Sequence, residues 1–195
     1  MVLNYFGGGC FRLQSGETSI LVDPSNNRLK ADLVLRTRVG TGAEVLAEAM
    51  GDGVDTTSIV FAGEYEVKGI EITGFPIAAE STEQFSKTAY LVVWEEMRFV
   101  FLGHLSRPLD AAMMEEFSDP DVLFMPVGGG DFLEPDVAAK IAKQLEARII
   151  VPSFYKNPDE FLKSLGKKAE REDKFVFKQK DIATDKGRPI VLKES

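Results

Sequence analysis

Thr88-Ala89-Tyr90-Leu91-Val92-Val93-Trp94, then Glu95-Glu96-Met97, then Arg98-Phe99-Val100-Phe101-Leu102 reads as a β-hairpin, two runs rich in aromatic and β-branched residues about a short polar turn. Their apolar character is nearly continuous where a half-solvated hairpin would alternate, so both strands are expected to be buried on both faces. Upstream, residues 2–6, 10–13 and 19–22 are short apolar runs separated by Gly7-Gly8-Gly9 and Ser15-Gly16-Glu17, the pattern of a strand meander. A further run, 32–35, ends near Thr37. Thr41-Gly42-Ala43-Glu44 then has capping-box spacing ahead of Val45, Leu46 and Ala49, which predicts a short helix to Gly51. Strand patterns return at 58–62, 64–67 and 69–75, and the polar stretch 80–87 is expected to be a loop.

Downstream of the hairpin the rhythm changes to strand and helix in alternation. Residues 109–117 are helical by composition, 121–127 form a buried strand, and 135–147 a helix with Val137, Ile141 and Leu145 on one stripe. Residues 148–152 are a strand. Asn157-Pro158-Asp159-Glu160 opens a helix that stops at Gly166, with acids at its start and lysines at its end. A charged turn at 167–174 leads to strands at 175–178 and 189–192. Meanders at both ends, with helices after each, favour an α/β fold of two sheets packed face to face with helices outside, a four-layer αββα sandwich. A single open parallel sheet fits less well, because few of the early strands have a crossover helix between them. One domain over 1–195, built from two similar halves, is the expectation from length.

Composition restricts the chemistry. The 23 Lys+Arg against 31 Asp+Glu leave a net charge of −8, which argues against a non-specific nucleic-acid or anionic-membrane partner. The one cysteine, Cys10, has no partner for an internal disulfide. The opening residues carry no basic leader and no window is apolar enough to span a bilayer, so a cytoplasmic protein is expected. Histidine also occurs once, at His104, and most hydrolytic metal sites and acid/base pairs use imidazole.

Several segments in order resemble the metallo-β-lactamase-fold superfamily, in its small single-domain hydrolase-like branch. Phe6-Gly7-Gly8-Gly9-Cys10-Phe11 resembles its Gly-His-Ser-Cys-Phe opening, and Ile20-Leu21-Val22-Asp23-Pro24 its second strand and Asp-Pro turn. Asp32-Leu33-Val34-Leu35-Arg36-Thr37 resembles the strand before its T-H-x-H-x-D-H ligand loop. Val100-Phe101-Leu102-Gly103 is similar to the strand carrying its bridging aspartate, and Ile149-Ile150-Val151-Pro152 to its final ligand strand. The resemblance implies zinc, manganese or iron as cofactor. The ligand residues do not carry over: Thr37-Arg38-Val39-Gly40-Thr41-Gly42-Ala43 stands at the ligand loop, and the remaining ligand positions fall near Ala79, on His104 and on Phe154. Side chains such as Arg38, Ala43 and Phe154 have no lone pair for a metal. No metal ligand and no cofactor are therefore expected.

Arg38, His104 and the amides of Gly128, Gly129 and Gly130 are the candidate ligand-binding residues, a modest anion pocket in place of the metal. The plainer alternative has Arg38 bonding a loop carbonyl or Asp23, His104 capping a strand end, and the glycines making a tight strand-to-helix turn. Cys10 and His104 form a weak candidate nucleophile and base pair, set against an inert buried thiol. Asp23, Glu64, Glu80 and Asp131 are carboxylates for a hard-cation site that no spacing demands. The expectation is a non-catalytic relative that binds a small anionic ligand or a protein partner, a pseudoenzyme. The rival is a hydrolase with an unfamiliar ligand set or a metal-free cleft built from His104, Arg38 and Cys10.

Overall fold

The computed structural model describes every residue except 27 and 51–56. In chain order the elements are β1 (Val2–Tyr5), β2 (Phe11–Ser15), β3 (Thr18–Val22), β4 (Leu33–Leu35), β5 (Arg38–Gly40), α1 (Ala43–Met50), β6 (Thr57–Ile59), β7 (Gly63–Val67), β8 (Ile70–Pro76), β9 (Phe85–Trp94) and β10 (Met97–Phe101). Then follow α2 (Ala111–Glu116), β11 (Val122–Pro126), α3 (Pro135–Gln144), β12 (Ile149–Ser153), α4 (Asp159–Leu165), β13 (Arg171–Glu172), β14 (Phe175–Val176), α5 (Gln179–Ile182), β15 (Arg188–Pro189) and β16 (Val191–Leu192). One sheet runs β14-β1-β2-β3-β4-β6. The other runs β15-β12-β11-β10-β9-β8-β7, with β5 also paired to β9.

Alternation explains the sandwich. Leu3, Leu13, Ile20 and Leu33 of the first sheet meet Ile72, Tyr90, Phe99, Phe101 and Phe124 of the second in one buried cluster. The opposite face of the second sheet, with Val100, Leu123 and Ile150, packs on Ala138, Ile141 and Ala142 of α3 and Phe161 of α4. Strand β9 is buried on both faces for this reason. The parallel neighbours β10, β11 and β12 are joined through α2 and α3, as parallel pairing requires. On the outer face of the first sheet, Cys10, Leu21, Ala31 and Val34 form a small separate cluster.

Several local expectations are corrected. Met97 pairs with Trp94, so Glu95 and Glu96 alone make the hairpin turn, both at positive φ, the backbone of a type I′ turn. The stretch 80–87 is only half loop, because β9 begins at Phe85 and β5 lies beside it in the register Arg38 to Lys87. A three-residue strand has no periodicity by which a sequence reveals it. Thr41 donates its hydroxyl to the Glu83 carbonyl, and α1 begins at Ala43. The predicted end of that helix at Gly51 lies outside the described residues. The charged turn at 167–174 contains β13, which pairs in parallel with β16, and α5 was not anticipated. Among the described residues no helix is long and apolar enough to cross a membrane.

Candidate functional site

At the carboxyl end of β3 the chain turns through Asp23, whose φ of +43 is left-handed, a conformation that aspartate tolerates better than most residues. Its amide donates to the Leu35 carbonyl, and its carboxylate reaches the residue after β4 and Arg36. The Thr37 amide donates to Asp23 Oδ1 at 2.7 Å and the Thr37 hydroxyl to Oδ2 at 2.5 Å. Thr37 Oγ1 also lies 2.8 Å from His104 Nδ1. The imidazole comes this close because Gly103 has no side chain: a Cβ there would lie 2.1 Å from Thr37. Three segments distant in sequence thus meet as one hydrogen-bonded chain.

Burial pushes the Asp23 carboxyl up to about 6, against the two Thr37 bonds and the Arg36 charge that lower it. Burial, reinforced by the Arg38 and Lys87 charges, pulls His104 down to about 4. At neutral pH the aspartate is ionised and the imidazole neutral. His104 is 21% exposed and lines a cleft of about 480 Å³ together with Arg38, Glu80, Lys87, Arg107 and Phe132. Lys87 and Glu80 are bonded at 2.7 Å. Lys87 Nζ also donates to the His104 carbonyl, and Glu80 accepts from Ser106 and the Arg107 amide. That pair is neutralised internally. The Arg38 guanidinium rests over the Phe85 ring, 4.2 Å from its centroid, with no carboxylate partner among the described residues. The sequence had not singled out Thr37, Lys87 or Arg107, although a lysine at the start of an apolar strand is a readable signal.

Cys10 is buried on the outer face of the first sheet. Burial pushes its thiol up to about 11, which favours the inert buried thiol over a thiolate nucleophile paired with His104. The Gly129 amide donates to the Leu133 carbonyl and the Gly130 amide to Glu134 Oε1, so these two amides serve the turn and not an anion. Gly128 lets Phe154 approach, since a Cβ there would meet the Phe154 carbonyl at 1.8 Å. Val39 packs with Ala49 and Val60 under α1. Phe154 flanks His104, with 4.7 Å between ring centroids, and stacks on Phe132 at 4.3 Å. Glu64 sits exposed on the edge strand β7, and Asp131 lies exposed at the cleft.

With this geometry in hand, comparison with known proteins is informative. A family model described as Beta-lactamase superfamily domain matches residues 2–153. A UPF0173 metal-dependent hydrolase of Methanopyrus kandleri is 26% identical over 206 residues, covering 83% of this chain and 90% of its own. One from Thermococcus onnurineus is 26% identical over 211 residues, covering 86% and 93%. A solved metallo-β-lactamase superfamily structure from Thermotoga maritima superimposes with a TM-score of 0.77 at 26% identity, covering 98% of this chain and 97% of that one.

These relatives overturn two expectations. The non-catalytic reading is corrected, because the relatives are named hydrolases. The expectation of no cofactor is corrected too, because they are named metal-dependent. The donors here nevertheless fit a metal poorly. Both Asp23 oxygens are engaged by Thr37, both Glu80 oxygens by Lys87, Ser106 and Arg107, and an aromatic ring stands beside His104. Among the described residues no three His, Cys, Asp or Glu side chains converge.

Proposed function

The chain belongs to the β-lactamase superfamily domain family, and from that premise we propose that it is a hydrolase of a small anionic substrate working at the cleft around His104. The observation that carries this reading is the hydrogen-bonded chain from buried Asp23 through Thr37 to His104, on the wall of a cleft where Arg38 has no carboxylate partner among the described residues. Arg38 and the Arg107 guanidinium bind the anionic group of the substrate. His104 Nε2 takes a proton from water as the water oxygen bonds to the electrophilic carbon or phosphorus of an ester. The ester bond then breaks, and the leaving oxygen receives that proton from His104. Phe132 and Phe154 exclude solvent from one side of the ring. A cytoplasmic setting suits a chain whose one thiol has no internal partner.

The test is a panel of carboxylate-bearing esters and phosphoesters, assayed with chelator and with added zinc or manganese. Hydrolysis that falls about 100-fold or more in His104→Asn supports the reading. A panel without turnover under any metal condition, or turnover indifferent to His104→Asn, overturns it.

A further inference from the structure

Thr37 has one hydroxyl proton and two neighbours near enough to share it, Asp23 Oδ2 at 2.5 Å and His104 Nδ1 at 2.8 Å. An ionised carboxylate has no hydrogen to offer, so the contact to Oδ2 takes the Thr37 proton. Oγ1 then presents only lone pairs to Nδ1, and Nδ1 must carry a hydrogen. We propose that Asp23 and Thr37 are positioning residues that hold His104 in the Nδ1–H tautomer, leaving the lone pair on Nε2, and that a proton taken up by this chain reverses it. This deepens the hydrolase reading and rests on it only for the work that the freed Nε2 performs.

The reversal balances with a single proton. It enters at Nε2, Nδ1 passes its hydrogen to Oγ1, and Oγ1 passes its own to Asp23 Oδ2. The product is a neutral imidazole with its hydrogen on Nε2 and a protonated carboxyl donating to Thr37. Arg36, Cys10 and Tyr90 also face Asp23, while Arg38 and Lys87, the latter bound to Glu80, face His104. With Asp23 pushed to about 6 and the imidazole pulled to about 4, the neutral reversed chain occupies the interval between. A general base with its lone pair turned into the protein cannot reach water, so acid would switch the site off by tautomer before any imidazolium forms.

The test uses the chain's one histidine. Protein labelled with nitrogen-15 in histidine gives a two-bond proton–nitrogen spectrum of His104 alone, read without substrate. At about pH 8, Nδ1 is expected to read as protonated and Nε2 as bare, and the two are expected to exchange roles as pH falls through about 6. Asp23→Asn places an amide donor against Oγ1, so its spectrum should show Nε2–H even at about pH 8, with hydrolysis reduced about 100-fold. Thr37→Ser should keep the wild-type behaviour and Thr37→Val should lose the exchange. A bare Nδ1 in the wild-type protein at about pH 8, or wild-type behaviour in Thr37→Val, overturns the proposal. Because the spectrum needs no turnover, a failed hydrolase assay leaves a positive spectrum standing, and a wrong tautomer overturns the positioning even where hydrolysis is found.

Discussion

At Gly103 the backbone sits at φ +54, and a Cβ would lie 2.1 Å from the Thr37 side chain. Both facts oppose any other residue: the left-handed conformation is strained for an L side chain, and Thr37 is fully buried with nowhere to move. Gly103→Ala is expected to cost about 3 kcal/mol, read as a lowered denaturant midpoint with unchanged slope. An unchanged midpoint would mean that the loop gives way without cost. Phe154 shows the converse freedom, since its positive φ is accommodated where Gly128 leaves room for its carbonyl. Neither constraint could be read from residue identity, because both depend on what a distant segment brings alongside.

The short turn Ala78–Glu80 and strand β9 are fastened by one buried ion pair. The Glu80 side chain is 4% exposed and that of Lys87 10%. Burial pushes the Glu80 carboxyl up, but the bonds from Lys87 and Ser106 more than reverse this and hold it below its ordinary value. Its stabilisation is therefore present above that ordinary value and is lost as the pH falls below it. Removing one partner strands the other's charge, so Glu80→Ala is expected to cost about 3–5 kcal/mol. The Asp32 and Lys68 pair provides the contrast: with Lys68 57% exposed, Lys68→Ala should cost under about 1 kcal/mol. Equal losses in thermal or denaturant melts would refute this distinction between the pairs. The sequence marked 80–87 as polar loop because its charges look solvated in isolation. Pairing of β5 with β9 is what buries Lys87.

For the whole molecule, Asp23 and His104 set opposing pH dependences. The folded Asp23 value of about 6 lies above its ordinary 3.8, so its contribution is greatest below 3.8 and is lost as pH rises to about 6. The folded His104 value of about 4 lies below its ordinary 6.5, so its contribution is complete above 6.5 and is lost as pH falls to about 4. The two offset each other through that interval. Asp23→Asn removes one of them, so the variant should lose stability steeply between pH 6.5 and 4 where the wild-type protein changes less. Denaturant midpoints across that range check this, and parallel curves would refute it.

By itself the sequence determined the layering. Continuous apolar runs, with Tyr90, Val92, Phe99 and Phe101 on one face and Ala89, Leu91, Val100 and Leu102 on the other, demand cover on both faces, and the change from meander to strand-helix alternation supplies it. Those signals are local, carried by neighbours along the chain. It also limited the imidazole chemistry to one residue. What only the tertiary structure decided is the company His104 keeps. Asp23, Thr37 and Gly103 stand far apart in sequence and meet because β3, β4 and β10 end at the same edge of the sandwich. The same packing buries Cys10 with Leu21, Ala31 and Val34, and that burial pushes its thiol up. Hydrogen-bond chains close at the ångström scale, which residue patterns do not encode and the packed fold does.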